Sequence, residues 1–306
     1  MKPALGRQVV ADGRRHRRAR LAAITMARDE AAMLPRWVAH YSRQCGDPTA
    51  LLVIDDNSCD GSTAGLGCPV IRLPGEVQEC SFEHTRMRMV SSMAAGLLAA
   101  YDAVLFSDAD EFIVADPAKY ETLVDFLHDR PHGEAFGAMA LNLVQHPSEP
   151  PLDPARPLLH QRRLAKFVPW LCKPGLKRTR APWSRASHAL RAPFVVDPDL
   201  YMFHAKFADL GLLRGAADHR RLLVQTLERA EHSTWRRPGG ALVRVVERLT
   251  AGVDLDAVPE FEPPLEQLAT LVSPGRGGYR LGGHGQMQAM RQAPFVRVPA
   301  RFRDSL

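Results

Sequence analysis

Three acidic residues within four positions follow a short apolar segment of the chain. Residues 104–107 are typical of a buried strand, and Asp108, Asp110 and Glu111 come next, before apolar residues resume. A buried strand that ends in carboxylates delivers them to the carboxyl edge of a sheet, where open α/β sheets bind ligands. Two carboxylates on one face repel each other unless a cation lies between them, and such oxygen ligands suit Mg²⁺ or Mn²⁺. An acidic surface turn is the alternative, which the flanking apolar runs disfavour.

Two earlier apolar segments also end in acids. Residues 21–26 precede Asp29 and Glu30, and residues 50–54 run into Asp55 and Asp56. At a nucleotide site such an acid accepts hydrogen bonds from ribose hydroxyls or a base N–H group. Neither a GxGxxG nor a GxxxxGK[ST] phosphate motif occurs, so we expect a metal to bridge a diphosphate to these carboxylates.

Alternating strand and helix patterns predict an α/β fold with a mostly parallel sheet flanked by helices. We predict strands at 21–26, 50–54, 70–73, 104–107 and 136–144, an apolar run at 200–207, and helices at 31–41, 83–101, 118–128, 209–231 and 243–249. The proline-rich stretch 146–157 is predicted to be a long loop, and the chain from Pro259 onward to be irregular.

The bulk composition is ordinary for a globular protein but basic. The 306 residues carry a net charge of +6, which could serve nucleic acid, an anionic membrane surface or phosphorylated small molecules. Five cysteines without CxxC spacing predict neither a disulfide framework nor a zinc site. Without a long apolar run or a signal-peptide pattern, we expect a cytoplasmic protein that at most contacts the inner face of a membrane.

The motifs, taken in order, resemble those of glycosyltransferase family 2. The sequence at 22–62, the segment FSDADEF and the later SHALR and YMFHAKF segments are similar to a bacterial subgroup with RNE, DNSxDGT and DxDEF motifs. The resemblance covers about residues 21–230, with RDE where RNE is commoner. It implies a GT-A (Rossmann-like) fold, a UDP- or GDP-sugar donor, Mn²⁺ or Mg²⁺, a glycan or lipid-linked acceptor, and usually inversion at the anomeric carbon.

The resemblance also implies roles for individual residues. Those expected at the donor and the metal are Arg28, Asp29 and Glu30 near the base, Asp56 at the base or ribose, Asp108 at the ribose or metal, Asp110 and His204 at the metal, and Lys206 at the phosphates. The general base that the acceptor hydroxyl needs is normally a carboxylate. We favour Glu111 over Asp209 and Glu149, although Glu111 could instead brace the following loop.

Other residues keep two interpretations each. His188 could orient an acceptor or be structural, and Trp170 and Trp183 could stack on a sugar or pack in the core. For Arg86 and Arg88 we expect a solvated helix face rather than a phosphate contact.

The resemblance divides the chain into three parts. These are a basic flexible arm (1–20), a GT-A domain (21–235, with donor half 21–115 and acceptor half 116–235) and a helical or irregular C-terminal extension (236–306). The alternatives are a sugar nucleotidyltransferase of related fold and a nucleic-acid-binding module that uses the arm and the basic stretch 162–191. The acidic strand ends would repel nucleic acid, so we expect none to bind.

Overall fold

The computed structural model describes residues 18–76, 82–184, 186–227, 237–282 and 285–306. Residues 1–17 of the predicted basic arm therefore lie outside the described ranges. The strands are β1 Leu21–Ala27, β2 Leu51–Asp55, β3 Val70–Arg72, β4 Ala103–Phe106, β5 Glu111–Ala115, β6 Ala135–Val144, β7 Leu164–Phe167, β8 Leu176–Lys177, β9 Trp183–Ser184, β10 Ala189–Leu190, β11 Val195–Phe207, β12 Val272–Gly275, β13 Gly278–Leu281 and β14 Val296–Arg297. The helices are α1 Leu34–Cys45, α2 Phe82–Leu97, α3 Leu123–Asp129, α4 Leu158–Gln161, α5 Leu210–Leu227, α6 Gly239–Thr250, α7 Leu265–Leu268 and α8 Gln286–Gln292.

A mixed sheet of ten strands forms the centre of the described chain. Its path runs β14-β7-β6-β8-β4-β1-β2-β3, with β11 on β6 and β5 on β11. The pairings leave seven strands pointing one way, and only β5, β7 and β8 opposing them. The predicted α/β class with a mostly parallel sheet is thus confirmed, and the arrangement is consistent with a GT-A fold.

The first strands are apolar along their whole length because both faces of the sheet are covered. All seven residues of β1 and all four of β4 are buried. Helix α1 packs against β1, β2 and β5, α3 packs against α1 and β5, and α2 packs against β1 and β4. Continuous apolar strands of this kind belong to parallel sheets buried on both sides. The register Ala27↔Asp55 and Ile24↔Phe106 brings the three acidic strand ends to one edge.

The region after Pro259 is more regular than we predicted. Strands β12 and β13 form a hairpin that extends a small sheet with β10 and β9, and β14 joins the central sheet beside β7. Phe302 is fully buried against Tyr201 and Phe203. The proline and glycine content hid these short strands because each is only two to four residues long. Among the described residues, no helix is both long and apolar enough to cross a membrane.

A buried hydroxyl network joins α1 to the acidic loop after β4. Trp37 Nε1 donates to Ser107 Oγ at 2.8 Å, and Ser107 Oγ donates to Tyr41 Oη at 3.1 Å. Tyr41 Oη in turn donates to the Glu111 carbonyl at 3.1 Å and accepts from the Ile113 amide at 2.9 Å. The network attaches both ends of the acidic loop, Ser107 on one side and Glu111 with Ile113 on the other, to helix α1.

Replacing Tyr41 with Phe should therefore destabilise the protein. The change leaves the Ile113 amide and the Ser107 hydroxyl without their buried partner, which typically costs about 1–3 kcal/mol. Urea unfolding of Tyr41→Phe measures the loss. Tyr279→Phe is the control, because no hydrogen bond of the Tyr279 hydroxyl occurs in the described part of the chain. Equal stability of the two variants would contradict the role given to the network.

Candidate active site

One cavity of about 370 Å³ lies at the carboxyl edge of the sheet, where β1, β2 and β4 end. Its lining includes every donor and metal residue predicted from the sequence: Arg28, Asp29, Glu30, Asp56, Asp108, Asp110, His204 and Lys206. Glu111, the favoured base, lines it as well. The strand register brings these residues together although they span almost 180 positions of sequence.

The loop after β1 is held in an unusual conformation by its own side chains. Asp29 has a φ of 53°, in the left-handed region that non-glycine residues rarely adopt. Its Oδ1 accepts hydrogen bonds from the amides of Cys59 at 2.7 Å and Asp60 at 3.2 Å. Arg28 forms a two-pronged pair with Glu76, at 2.7 and 3.1 Å. These contacts fix the side chains of Arg28 and Asp29 at this wall of the cavity.

Asp55 and Asp56, adjacent in sequence, have different surroundings. Asp55 Oδ1 accepts from the Ser58 amide at 2.7 Å and its Oδ2 from Thr63 Oγ1 at 3.2 Å, so Asp55 shapes the loop after β2. Asp56 is also buried but lines the cavity.

A chain of alternating charges crosses the floor of the cavity. Glu83 and Arg86 on α2 pair at 2.9 Å, Arg86 meets Asp108 at 2.6 Å, Lys173 meets Asp108 at 3.3 Å, and Lys173 meets Glu111 at 2.6 Å. Burial alone would raise the pKa of Asp108, but Arg86 and Lys173 hold it well below its usual range. Asp108 is thus a permanent anion that two cations share.

Asp110 faces a different partner. Strands β5 and β11 pair antiparallel with Glu111 opposite His204, and the Ala205 amide donates to the Asp110 carbonyl at 2.8 Å. This register brings His204 Nε2 to 3.3 Å from Asp110 Oδ2. Burial would raise the pKa of Asp110, but His204 lowers it to about 2, so Asp110 is ionised at neutral pH.

The two ring nitrogens of His204 face two different acceptors. Nδ1 lies 2.6 Å from Asn142 Oδ1, while Nε2 faces Asp110 Oδ2 at 3.3 Å. Asn142 therefore fixes the orientation of the ring that brings Nε2 to the Asp110 carboxylate. A ligand histidine fixed through its other nitrogen is the usual arrangement at metal centres.

These two side chains fit a divalent cation, but the predicted set of three does not converge. Within the described ranges, no group of three His, Cys, Asp and Glu side chains is arranged to hold a metal ion. Asp108 is the member that is missing, because Arg86 and Lys173 occupy its oxygens. Mg²⁺ and Mn²⁺ need only one or two protein carboxylates when substrate phosphates and water complete the shell. Asp110 and His204 meet that requirement.

Burial and crowding shift three further groups on the cavity wall. Burial, followed by the charge of Asp110, raises the pKa of Glu30 to about 8, so Glu30 is mainly protonated at neutral pH. Burial, with Arg220 next, lowers the pKa of Lys206 to about 8. Burial lowers the pKa of His188 to about 3, and its Nδ1 bonds the Trp170 carbonyl at 2.7 Å.

Several predicted residues lie away from the cavity. Asp209 does not line it: its oxygens accept from the amides of Leu212 at 2.9 Å and Leu152 at 2.8 Å, which caps the start of α5. Glu149 accepts from the amides of His146 and Arg163 and likewise braces a loop. Trp183 is buried and donates to the Pro174 carbonyl at 2.6 Å, which is a packing role.

The cavity also contains residues that the sequence did not reveal. The expected solvated position is wrong for Arg86, whose side chain is only 11% exposed, whereas Arg88 is exposed as predicted. Lys173 was hidden within a long basic stretch. Helix α5 adds His219, 3.2 Å from Asp29 Oδ2, and Arg220, 4.0 Å from Glu30 Oε1. Helical spacing alone does not say which polar face of α5 meets the cavity.

No protein-family model matches the sequence, and no curated protein matches it either. Among solved structures, the chain is similar to the mannosyltransferase PcManGT from Pyrobaculum calidifontis in complex with GDP-Man and Mn²⁺, with 16% identity, 41% of this chain and 36% of that chain covered, and a TM-score of 0.29. It is similar to S. aureus TarS, with 15% identity and a TM-score of 0.33. That match covers 66% of this chain and 40% of that chain. It is also similar to mannose-1-phosphate geranyltransferase from Thermus thermophilus, with 15% identity and a TM-score of 0.28. That match covers 91% of this chain and 73% of that chain.

This chain spans well under half the length of the first two structures. At TM-scores of this size, the similarities assign neither a family nor a function. The chemistry proposed for the chain therefore rests on the geometry of its cavity.

The chain of alternating charges predicts that Lys173 and Glu111 are strongly coupled in their contributions to the free energy of unfolding. Lys173→Met leaves the buried Glu111 and the partly buried Asp108 with one cation fewer, which should cost about 3–5 kcal/mol of unfolding free energy. The double variant Lys173→Met/Glu111→Gln should regain a large part of this loss, because both partners of the 2.6 Å contact are then neutral.

Urea unfolding of the two single variants and the double variant measures this coupling. Lys119→Met is the control: Lys119 also pairs with an acid, Asp199, but is 56% exposed, so its loss should cost less than about 1 kcal/mol. Strictly additive losses in the cycle would contradict the coupling.

Proposed function

We propose that the protein is a glycosyltransferase that moves a sugar from a nucleotide-diphospho-sugar to an acceptor hydroxyl. The single observation that supports this most is one cavity in which acids suited to a nucleoside and a metal lie beside cations suited to a diphosphate. The acids come from the ends of three parallel strands, and Arg86, Lys173 and Lys206 supply the positive charge. Each of the sequence motifs that resemble glycosyltransferase family 2 contributes at least one residue to the lining of this cavity.

The leaving group determines what the cavity must do. Breaking the bond between sugar and phosphate leaves a nucleoside diphosphate with developing negative charge, and preorganised cations stabilise that charge. Lys206 is positioned for this because no carboxylate pairs with its ammonium in the described part of the chain. A Mg²⁺ or Mn²⁺ ion held by Asp110 and His204 would supply further positive charge at the diphosphate.

The acceptor hydroxyl must lose its proton as the new bond forms, and we assign this role to Glu111. Of the three carboxylates predicted as bases, Glu111 alone lines the cavity, whereas Asp209 and Glu149 brace loops elsewhere. Lys173 Nζ lies 2.6 Å from Glu111 Oε1 and holds this carboxylate in place at the cavity. Inversion at the anomeric carbon would follow from a single displacement with this base.

The nucleoside is proposed to lie along the loops after β1 and β2. Asp56 is buried at the cavity wall, where a carboxylate can accept from a base N–H or ribose hydroxyl. Glu30, mainly protonated at neutral pH, can donate a hydrogen bond there. UDP- and GDP-sugars remain the proposed donors, with a glycan or lipid-linked acceptor that could bring the protein to a membrane surface in bacterial glycan synthesis.

Calorimetric titration with UDP and GDP, each with and without Mn²⁺, tests this proposal directly. We expect binding of at least one nucleotide to tighten when Mn²⁺ is present. Asp110→Ala should abolish the Mn²⁺-dependent part of the affinity and the metal-dependent turnover of the donor, while the melting temperature stays near that of the wild type. Asp129→Ala is the control, since Asp129 is exposed and remote from the cavity.

Two outcomes would contradict the proposal. Asp110→Ala with unchanged Mn²⁺ dependence would refute the metal role. Metal-independent binding of nucleic acid, without any binding of a nucleotide or nucleotide sugar, would refute the transferase itself.

A further inference from the structure

Within the described part of the C-terminal region (237–282 and 285–306), the side chain that reaches the cavity is Gln286, at the start of α8. Gln286 Oε1 accepts a hydrogen bond from Lys206 Nζ at 3.0 Å. Its amide nitrogen lies 3.2 Å from His204 Nδ1 and 3.5 Å from Asn142 Oδ1. These partners lie 80 or more residues away in sequence, so the contacts are tertiary.

The helix that carries Gln286 is anchored to the central sheet. Met290, 1% exposed, accepts a hydrogen bond from Asn142 Nδ2 at 3.3 Å. The Ala293 carbonyl accepts from Lys166 Nζ at 2.5 Å, and β14 then pairs with β7. Gln286 is therefore held at the cavity because both α8 and the following strand β14 are attached to the central sheet.

A neutral partner suits Lys206 better than a carboxylate would. Among the described residues, Gln286 is the one side chain that hydrogen-bonds the Lys206 ammonium. An amide oxygen fixes the direction of the ammonium without cancelling its charge, so the charge stays available to a diphosphate. The same amide lies against the Asn142–His204 pair, so one side chain contacts both residues proposed to meet the diphosphate and its metal.

We propose that Gln286 is a positioning residue that holds Lys206 and the Asn142–His204 pair in their donor-binding orientation. The C-terminal region is then part of the donor site rather than an appendage. The inference rests on the proposed function, because that function gives Lys206 and His204 their roles. Gln286 itself takes no part in the transfer.

Two substitutions at Gln286 and a matched control test this role. Gln286→Ala should weaken binding of the preferred nucleoside diphosphate by about tenfold, the usual effect of losing one hydrogen bond to a charged group. Gln286→Glu should weaken it further, because the new carboxylate cancels the charge of Lys206. Gln288→Ala, on the same helix but exposed, should leave the affinity within about twofold of the wild type.

A merely structural role would give the opposite order, since Glu keeps the hydrogen bond that Ala loses. Melting temperatures of all three variants check that α8 remains docked. If Gln286→Ala fails to fold, Gln286→Glu against Gln288→Ala still decides the question, because loss of affinity in a folded Gln286→Glu variant requires the charge effect.

A measurement without nucleotide separates this inference from the donor-site proposal. Side-chain ¹⁵N spectra of histidine-labelled protein report the Nδ1 environment of His204, whose signal is assigned by its absence in His204→Gln. Gln286→Ala should shift that signal, and Gln288→Ala should not. Identical spectra and affinities for the two alanine variants would overturn the positioning role, whereas a wild type that binds neither UDP nor GDP would overturn the donor-site proposal alone.

Discussion

Repulsion among carboxylates at one edge of the sheet is the constraint on which the rest of the site depends. Among the described residues, seven acidic side chains line a single cavity: Asp29, Glu30, Asp56, Glu83, Asp108, Asp110 and Glu111. Burial makes each negative charge costly unless a cation or a hydrogen-bond donor compensates it. Arg86 and Lys173 compensate Asp108, and His204 compensates Asp110. Glu30 lacks such close compensation and is held mainly protonated instead, with its pKa raised to about 8.

The order of the strands is what makes this compensation possible. Parallel pairing of β1 with β2 and β4 brings the acidic side chains close together, and their electrostatic repulsion increases as a result. The cations enter from elements outside this parallel unit: α2 brings Arg86, the segment before β8 brings Lys173, and β11 brings His204 and Lys206. The antiparallel pairing of β5 with β11 is decisive, because its register sets Glu111 opposite His204. A shift of one residue would turn His204 to the other face of the sheet.

Local pattern in the sequence predicted the elements and the acidic edge well, because continuous apolar strands followed by acids leave few other arrangements. It could not predict the partners of those acids. Lys173 lies in a long basic stretch with no periodicity, and Arg86 on a helix whose burial depends on the packing of α2 against β4. Gln286 lies in a region that the composition marks as irregular. Each of these contacts is long-range, so only the three-dimensional arrangement of the chain reveals it.

The two aspartates of the DxD motif illustrate how far a motif determines chemistry. Asp108 and Asp110 lie two positions apart and were expected to share a metal ion. Their surroundings differ sharply: two cations hold Asp108, whereas Asp110 lies 3.3 Å from one nitrogen of His204, whose other nitrogen contacts Asn142. A carboxylate that two cations already neutralise is a weak ligand for a third cation. Asp108 therefore holds Arg86 and Lys173 at the cavity floor, and the proposed metal site is left to Asp110 and His204.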